Sequence, residues 1–178
     1  YRETGTNPLA SCMPILIQSP FFFGLFRVLN GLDEMASGSK QPIGPLSRDL
    51  AAQAESSTIF GAKLSDIFLG ADSLNVQIVT VILIVLMSAT TFTTQHQLMR
   101  KNMPAAALEG PFAQQQKIML YLFPIIFAVS GINFPIGVLI YWVVNNAWTF
   151  GQQFFILRKM PPPGSAAAKA KADAGKPV

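Results

Sequence analysis

The stretch GTNPLASCMPILIQSPFFFGLF, residues 5–26, decides what kind of protein this is. From Met13 onward it is apolar enough to lie in a lipid bilayer, yet it carries the amide Gln18 between Pro14 and Pro20. A proline removes a helix hydrogen bond, and an amide in hydrocarbon needs a polar partner. We therefore expect a membrane span that bends at its prolines and exposes its amide to a polar space.

The rest of the chain has the composition of an integral membrane protein. Of its 178 residues, 51% are hydrophobic and 12% are charged, whereas soluble domains carry about 25% charged residues. This composition predicts one membrane domain without a large soluble core. The chain starts at Tyr1, and no signal-peptide layout follows, so we expect a fragment that lacks its natural N-terminus.

Four segments are apolar enough to be membrane spans, although the third is short. The predicted spans are residues 13–32, 74–94, 118–132 and 136–157. Only Asn133, Phe134 and Pro135 separate the last two, so these should form an antiparallel hairpin. The predicted fold is an all-α helical bundle over residues 1–157, with an outer loop at 33–73 and an inner loop at 95–117.

The distribution of basic residues predicts the orientation, because cytoplasmic loops are enriched in Lys and Arg. With a cytoplasmic N-terminus, nine of the thirteen basic residues fall in cytoplasmic segments and three in the outer loop. Both termini are therefore predicted to be cytoplasmic. Arg27 lies near the outer end of its span, where its side chain can reach the interface.

Two segments outside the spans have distinctive patterns. Residues 59–68 are predicted to form a short amphipathic helix on the outer membrane surface. Its apolar face would consist of Ile59, Phe60, Leu64, Ile67 and Phe68. The basic tail, residues 158–178, has low complexity and little apolar surface, which predicts disorder.

Polar side chains recur at helical spacing inside two predicted spans. The second span carries Ser88, Thr91 and Gln95 on one face. The fourth carries two adjacent stripes, which are Tyr141, Asn145, Trp148 and Gln152, and Trp142, Asn146, Thr149 and Gln153. One interpretation is a hydrated concave surface. The alternative is that the amides hold helices together while Trp and Tyr anchor the span at the interfaces.

Residue types that carry enzyme chemistry are scarce. His96 is the single histidine, Cys12 is the single cysteine, and none of the predicted spans contains Asp or Glu. This excludes a zinc cluster, an intramembrane carboxylate pair and a phosphate-binding glycine loop. We expect a protein that is not an enzyme and needs no cofactor or metal.

Two sequence blocks resemble the YidC/Oxa family of membrane protein insertases. GTNPLASCMPILIQSPFFFGLFRVL is similar to the family's N-P, C-[LM]-P and Q-x-P pattern. QQQKIMLYLFPIIFAVSGINFPIGVLIYWVVNNAWTFGQQ is similar to its closing hairpin, with Q-x-K-x-M, F-P-x-G and L-x-Y-W. The blocks occur in the family's order, and the resemblance extends over residues 5–157.

The resemblance implies a bundle of five core spans around a hydrophilic groove. This groove opens to the cytoplasm and to lipid and is closed on the outer side. It would receive nascent membrane proteins in the bacterial cytoplasmic membrane without ATP. The family's groove arginine belongs to a span upstream of Tyr1, and Arg27 does not replace it. The ribosome, through the basic tail, and the Sec translocon are candidate further partners.

The resemblance also implies two sets of site residues. The groove set is Gln18, Ser88, Thr91, Trp142 and Asn145, and the apolar slide for the substrate helix is Phe21, Phe22, Leu25, Phe127 and Val129. Two other classes of function stay open. One is a channel or transporter subunit, although no internal repeat of the kind transporters use is visible. The other is an assembly factor that holds membrane proteins without inserting them.

Overall fold

The computed structural model describes residues 8–102, 111–161 and 163–174, and this part of the chain is mostly helical. The elements are α1 (Pro8–Asn30), α2 (Leu32–Ser37), α3 (Arg48–Ser56), β1 (Thr58–Ile59), β2 (Ala62–Lys63), α4 (Leu74–Gln97), α5 (Pro111–Gly131), α6 (Ile136–Lys159) and α7 (Ala166–Ala174). A π-helical turn, Leu98–Asn102, continues α4. The predicted helical fold is confirmed, with one small antiparallel hairpin, β1–β2, added to it.

Helix α1 is continuous although it contains Pro14 and Pro20. Pro20 has no N–H to donate to the carbonyl of Leu16, four residues earlier. The hydroxyl of Ser19 donates to that carbonyl oxygen instead, at 2.8 Å. A neighbouring side chain thus satisfies the backbone group that the proline frees, as apolar surroundings require.

Helix α4 contacts two other long helices of the bundle. Its run Leu74–Lys101 has 28 residues, and in the described part of the chain it alone is long and apolar enough to cross a membrane. A shorter apolar helix covers Leu120–Gly131 within α5. Helix α4 packs along both α5 and α6, while α1 packs against α6. The four-residue connection 132–135 links α5 to α6, and both of these helices pack against α4.

Residues 31–73, which we call the cap, connect α1 to α4 and close one end of the bundle. Leu29, Leu32, Met35, Ala51 and Val138 form its buried apolar core. The cap also reaches the start of α6 through its backbone. The N–H groups of Ile136 and Gly137 donate to the carbonyls of Asp66 at 2.9 Å and Leu64 at 2.8 Å. These bonds satisfy two donors that a helix start leaves free.

The predicted amphipathic helix at residues 59–68 is wrong. Ile59 lies in β1, Phe60 and Gly61 form the turn of the hairpin, and the chain after β2 is irregular. Phe60 and Gly61 both have positive φ, which no helix allows. After β2, the carbonyls of Leu64 and Asp66 accept hydrogen bonds from the start of α6 rather than from helical N–H groups within the segment.

The tail also differs from the predicted disorder. Helix α6 continues to Lys159, and Ala166–Ala174 form α7. The N–H of Ala168 donates to Ser165 Oγ at 3.1 Å, which caps the start of α7. Alanine has the highest helix propensity, and α7 packs against the π-helical turn, so a helix forms without an apolar face of its own.

Several predicted boundaries shift outward. Helix α1 begins at Pro8 and ends at Asn30, whereas the predicted span was 13–32. The predicted inner loop, 95–117, is helical at 95–102 and again from Pro111, which is the first residue of α5. A proline is favourable there, because the first helical N–H has no partner within the helix.

Candidate functional site

A hydrogen-bonded polar cluster of Thr90, Thr91 and Asn146 joins α4 to α6. The Asn146 side-chain Nδ2 donates to Thr91 Oγ1 at 2.7 Å and lies 3.5 Å from Thr90 Oγ1. The Thr90 hydroxyl is within hydrogen-bond distance of the carbonyls of Leu86 and Met87, at 2.7 and 3.0 Å. The bond to Thr91 is therefore the short link between the helices.

Helix α4 also buries polar atoms that have no hydrogen-bond partner among the described residues. These are the hydroxyls of Thr80, Ser88 and Thr94 and the side-chain carbonyl of Gln97. A buried polar atom left unpaired costs about 1–3 kcal/mol. The four positions do not share one face of α4, and buried polar atoms of this kind are completed by ordered water or by polar groups of another chain.

Three aromatic rings, Phe22, Phe127 and Trp142, form a wall between α1, α5 and α6. The Trp142 ring lies 5.2 Å from that of Phe22 in an edge-to-face arrangement and 4.4 Å from that of Phe127. Trp142 precedes Asn146 by four residues, so the two side chains lie one above the other on α6. The aromatic wall and the polar cluster are therefore one helical turn apart.

The predicted groove residues occupy different environments. Thr91 belongs to the polar cluster, Trp142 to the aromatic wall, and Ser88 is half-buried one turn from Thr91 on α4. Gln18 is half-buried and lies four residues before Phe22, on the face of α1 that meets the wall. Asn145 is exposed and is not brought to the polar cluster.

Three of the predicted slide residues are packed against other side chains, and two are exposed. Phe22 and Phe127 belong to the aromatic wall, and Leu25 packs against the core of the cap. Phe21 and Val129, by contrast, are 68% and 64% exposed. The five side chains do not form one continuous strip, and only the last two present open apolar surface of the kind a substrate helix would need.

Sequence reasoning left Asn146 out of the groove set, although it noted both stripes of α6. Asn146 and Trp142 are four residues apart, and this spacing was a signal that they share a face. Adjacent stripes on one helix differ by a single rotation of about 100°, which follows from 3.6 residues per turn. Only the packing of α6 on α4 determines that Asn146, and not Asn145, forms the hydrogen bond to Thr91.

The described residues contain no group of three or more His, Cys, Asp or Glu side chains that could hold a metal ion. The charged groups lie mainly in the cap and at the other end of the bundle. In the cap, Lys63 Nζ donates to Glu55 Oε1 at 2.9 Å. This hydrogen bond and the Glu55 charge raise the pKa of Lys63 from its ordinary value of 10.5.

Removing the Asn146 amide should weaken the contact between α4 and α6. Hydrogen bonds between membrane helices contribute on average about 0.6 kcal/mol and at most about 1.7 kcal/mol. We expect Asn146→Leu to lower the thermal unfolding midpoint in detergent, measured by fluorescence-detected size-exclusion chromatography. Asn145→Leu is the matched control, one residue away and exposed. Equal midpoints for the two variants would contradict the role of the polar cluster.

The apolar composition of the chain and the long apolar helix α4 define the class as a membrane protein. Comparison with known proteins identifies the family. A family model described as 60Kd inner membrane protein matches residues 1–163, so the chain belongs to that family. Its curated relatives are named membrane protein insertase YidC, which confirms the resemblance to the YidC/Oxa family. These are insertases and not enzymes.

The relatives come from several bacteria. The chain is 51% identical to the insertase of Streptomyces avermitilis, covering 96% of this chain and 40% of the relative. It is 32% identical to that of Bifidobacterium longum, covering 96% and 51%. It is 38% identical to that of Tropheryma whipplei strain Twist, covering 94% and 56%. The chain thus spans roughly half the length of these relatives. No solved structure matches it significantly.

Proposed function

We propose that this chain supplies the larger part of the membrane-embedded domain of a bacterial insertase, which guides nascent membrane proteins from the cytoplasm into the bilayer without ATP. The observation that carries the proposal is that the buried Ser88 hydroxyl of α4, which has no hydrogen-bond partner among the described residues, lies one turn from the polar cluster, and that this cluster adjoins the aromatic wall. The names of the relatives support the same activity.

The chemistry of insertion explains why such a surface is useful. A polar segment that crosses dry hydrocarbon loses its hydrogen bonds to water, and each unsatisfied backbone group costs several kcal/mol. Hydroxyls and amides that lack partners within the protein can hold water or accept the polar groups of a passing segment. A groove lined by Ser88, Thr91 and the face of Gln18 would therefore shorten the dry path.

The proposed topology has α1, α4, α5 and α6 as four spans with both termini in the cytoplasm. The basic residues Arg100, Lys101, Arg158 and Lys159 support it, because they lie at the ends of α4 and α6 away from the cap. The cap would then face the outside. All five slide residues remain proposed contacts for the apolar part of the substrate. Phe21 and Val129 offer it exposed surface, whereas Phe22, Leu25 and Phe127 are half-buried.

Exposed amides on α6 fit this arrangement. Asn145 and Gln152 are seven residues apart on one face, and both are exposed. Amides facing lipid would have no partners, so this face should border the groove or another segment of the full-length protein. Asn145 thus remains in the proposed groove, on a different face from Asn146. The ribosome, through the basic tail, and the Sec translocon stay as candidate partners.

Photocrosslinking from the groove tests the proposed function. A photoreactive amino acid replaces Trp142 or Gln18 in the full-length protein, which then meets a ribosome-bound nascent chain with a single span. We expect crosslinks to the substrate at both positions, and none at Val85, which is exposed on α4. Substrate crosslinks without membrane integration of the substrate would favour an assembly factor. Ion flux through reconstituted protein with no substrate crosslinks would favour a channel.

The hydration of the groove can be measured independently of substrate. We expect single cysteines at Ser88, Thr91 or Asn145 to react with a membrane-impermeant maleimide added from the cytoplasmic side. A cysteine at Val85 should react far more slowly, since that exposed position would face lipid. Equal rates at Val85 and at the three polar positions, after correction for unfolded protein, would exclude a water-filled groove.

A further inference from the structure

The tip of the β1–β2 hairpin combines an unfavourable backbone with an exposed aromatic ring. Strand pairing joins Ile59 to Ala62, which leaves Phe60 and Gly61 as a two-residue turn. Their φ angles are 51° and 80°, as in a type I′ turn. Such turns favour Asn or Gly at the first position, and a bulky side chain with positive φ is an outlier. Phe60 is nevertheless present there, with 86% of its surface exposed.

The hairpin packs against the start of α4, which places its turn beside that helix. Ala62 is fully buried in a cluster with Val76, Val79 and Ile136. A Cβ on Gly61 would lie 2.9 Å from Nδ2 of Asn75, the second residue of α4. The turn therefore lies beside the first residues of α4, the described helix that is long and apolar enough to cross a membrane.

Other exposed apolar side chains occur in this part of the chain. Leu69 and Leu74 are 55% and 67% exposed, and Ile59 is also exposed. A shallow apolar groove runs from Leu74 along the outer surface of α4. Its apolar lining consists of Phe68, Leu74, Ile78, Val81 and Ile82. Lys63, the basic residue of the hairpin, forms a salt bridge with Glu55 at 2.9 Å. The apolar groove is continuous with the exposed surface of α4 that a membrane protein presents to acyl chains.

We infer that the hairpin tip is a lipid anchor, in which Phe60 enters the boundary between headgroups and acyl chains at the cap end of α4. Aromatic rings at this depth bury their apolar body in lipid, as interfacial segments do. The anchor would fix the cap relative to the bilayer surface, and the free energy of ring burial would offset the unfavourable turn. The inference rests on the membrane location of the chain and is separate from the groove.

Spin-label accessibility measures where the tip lies. The full-length protein, without other cysteines, carries a nitroxide at Phe60→Cys and is reconstituted in vesicles of phosphatidylethanolamine and phosphatidylglycerol. We expect collisions with oxygen, which concentrates in lipid, to exceed those with a water-soluble nickel chelate. Gln53→Cys, exposed on α3, should show the reverse ratio. A nickel-dominated label at Phe60 would overturn the inference, and so would exclusion of both reagents, which would indicate a covering protein segment.

Replacing the ring without disturbing the turn gives a second test. Phe60→Asn suits the positive φ of the turn, so relief of backbone strain alone should slow amide hydrogen exchange of residues 58–63. Loss of a lipid anchor should instead speed that exchange in lipid nanodiscs. We expect faster exchange in Phe60→Asn than in the wild type. Slower or unchanged exchange would show that the ring makes no stabilising contact with lipid. Insertion activity is scored separately, so failure here leaves the proposed function intact.

Discussion

Trp142→Ala should abolish or severely impair membrane insertion while the protein still accumulates in the membrane. The substitution removes the ring that contacts both Phe22 and Phe127, and these contacts join α6 to α1 and α5. Truncating a large aromatic side chain in a packed site costs about 3–5 kcal/mol when burial is complete. Trp142 is half-buried, so we expect a smaller loss of stability and a larger loss of function, because the indole N–H also disappears.

The measurement is complementation of an insertase-depleted cell by the full-length protein, with an immunoblot of membrane fractions to compare protein levels. Phe154→Ala is the matched control, since Phe154 is an aromatic residue of the same helix that is 55% exposed and lies away from the face of Asn145 and Gln152. Gln18→Leu should impair growth moderately, because it removes a polar group with little change in volume. Arg27→Ala should have a mild effect. Normal growth with Trp142→Ala and none with Arg27→Ala, at equal levels, would contradict the assigned groove.

The sequence was sufficient to predict the helical bundle and the family. Long apolar runs require helices in a membrane, because a helix satisfies its own backbone hydrogen bonds. The spacing of Pro14, Gln18 and Pro20, together with the closing hairpin, was specific enough to indicate YidC/Oxa insertases. The sequence pattern could not predict that the Ser19 hydroxyl would donate a hydrogen bond to the Leu16 carbonyl that Pro20 leaves free. Such local compensation depends on side-chain rotamers rather than on residue pattern.

The cap was the part that sequence patterns described least well. The apolar residues Ile59, Phe60, Leu64, Ile67 and Phe68 fit a helical face, but Gly61 follows Phe60 directly. A short apolar run is compatible with a helix or with strands, and tertiary contacts decide between them. Here Ala62 is buried against α4, and the carbonyls of Leu64 and Asp66 cap α6. These long-range contacts have no signature in local periodicity.

The groove residues show a related limit. Helical spacing placed polar side chains on two neighbouring stripes of α6, yet it could not say which stripe would meet α4. Packing brings Asn146 to Thr91 and leaves Asn145 exposed. The tail shows the opposite error, because composition suggested disorder where alanine propensity and a Ser165 cap produce α7. Propensity summed over a short segment can therefore outweigh a lack of apolar surface.

Gly137 is the point where α1, the cap and α6 meet most closely. A Cβ there would lie 2.8 Å from Leu29 Cδ1 and 3.3 Å from the carbonyl oxygen of Leu64. The same carbonyl accepts the hydrogen bond from the Gly137 N–H at 2.8 Å. The Leu29 side chain can rotate away from an added methyl group, but the Leu64 backbone can move only by lengthening this bond. A larger side chain must therefore push the cap away from α6.

We expect Gly137→Val to destabilise the protein by about 1–3 kcal/mol, the usual cost of overpacking, and to lower its thermal unfolding midpoint in detergent. Gly137→Ala should have a smaller effect in the same direction. Gly151, on the same helix, has no neighbouring atom within 4 Å of an added Cβ among the described residues. Gly151→Ala should therefore be neutral or stabilising, since alanine favours a helix over glycine by about 1 kcal/mol. Gly151→Val controls for the β-branched side chain. If the Gly137 and Gly151 variants unfold at the same temperatures, the cap does not depend on this close contact, and the closed end of the bundle must be held by the apolar core around Leu32 and Met35 alone.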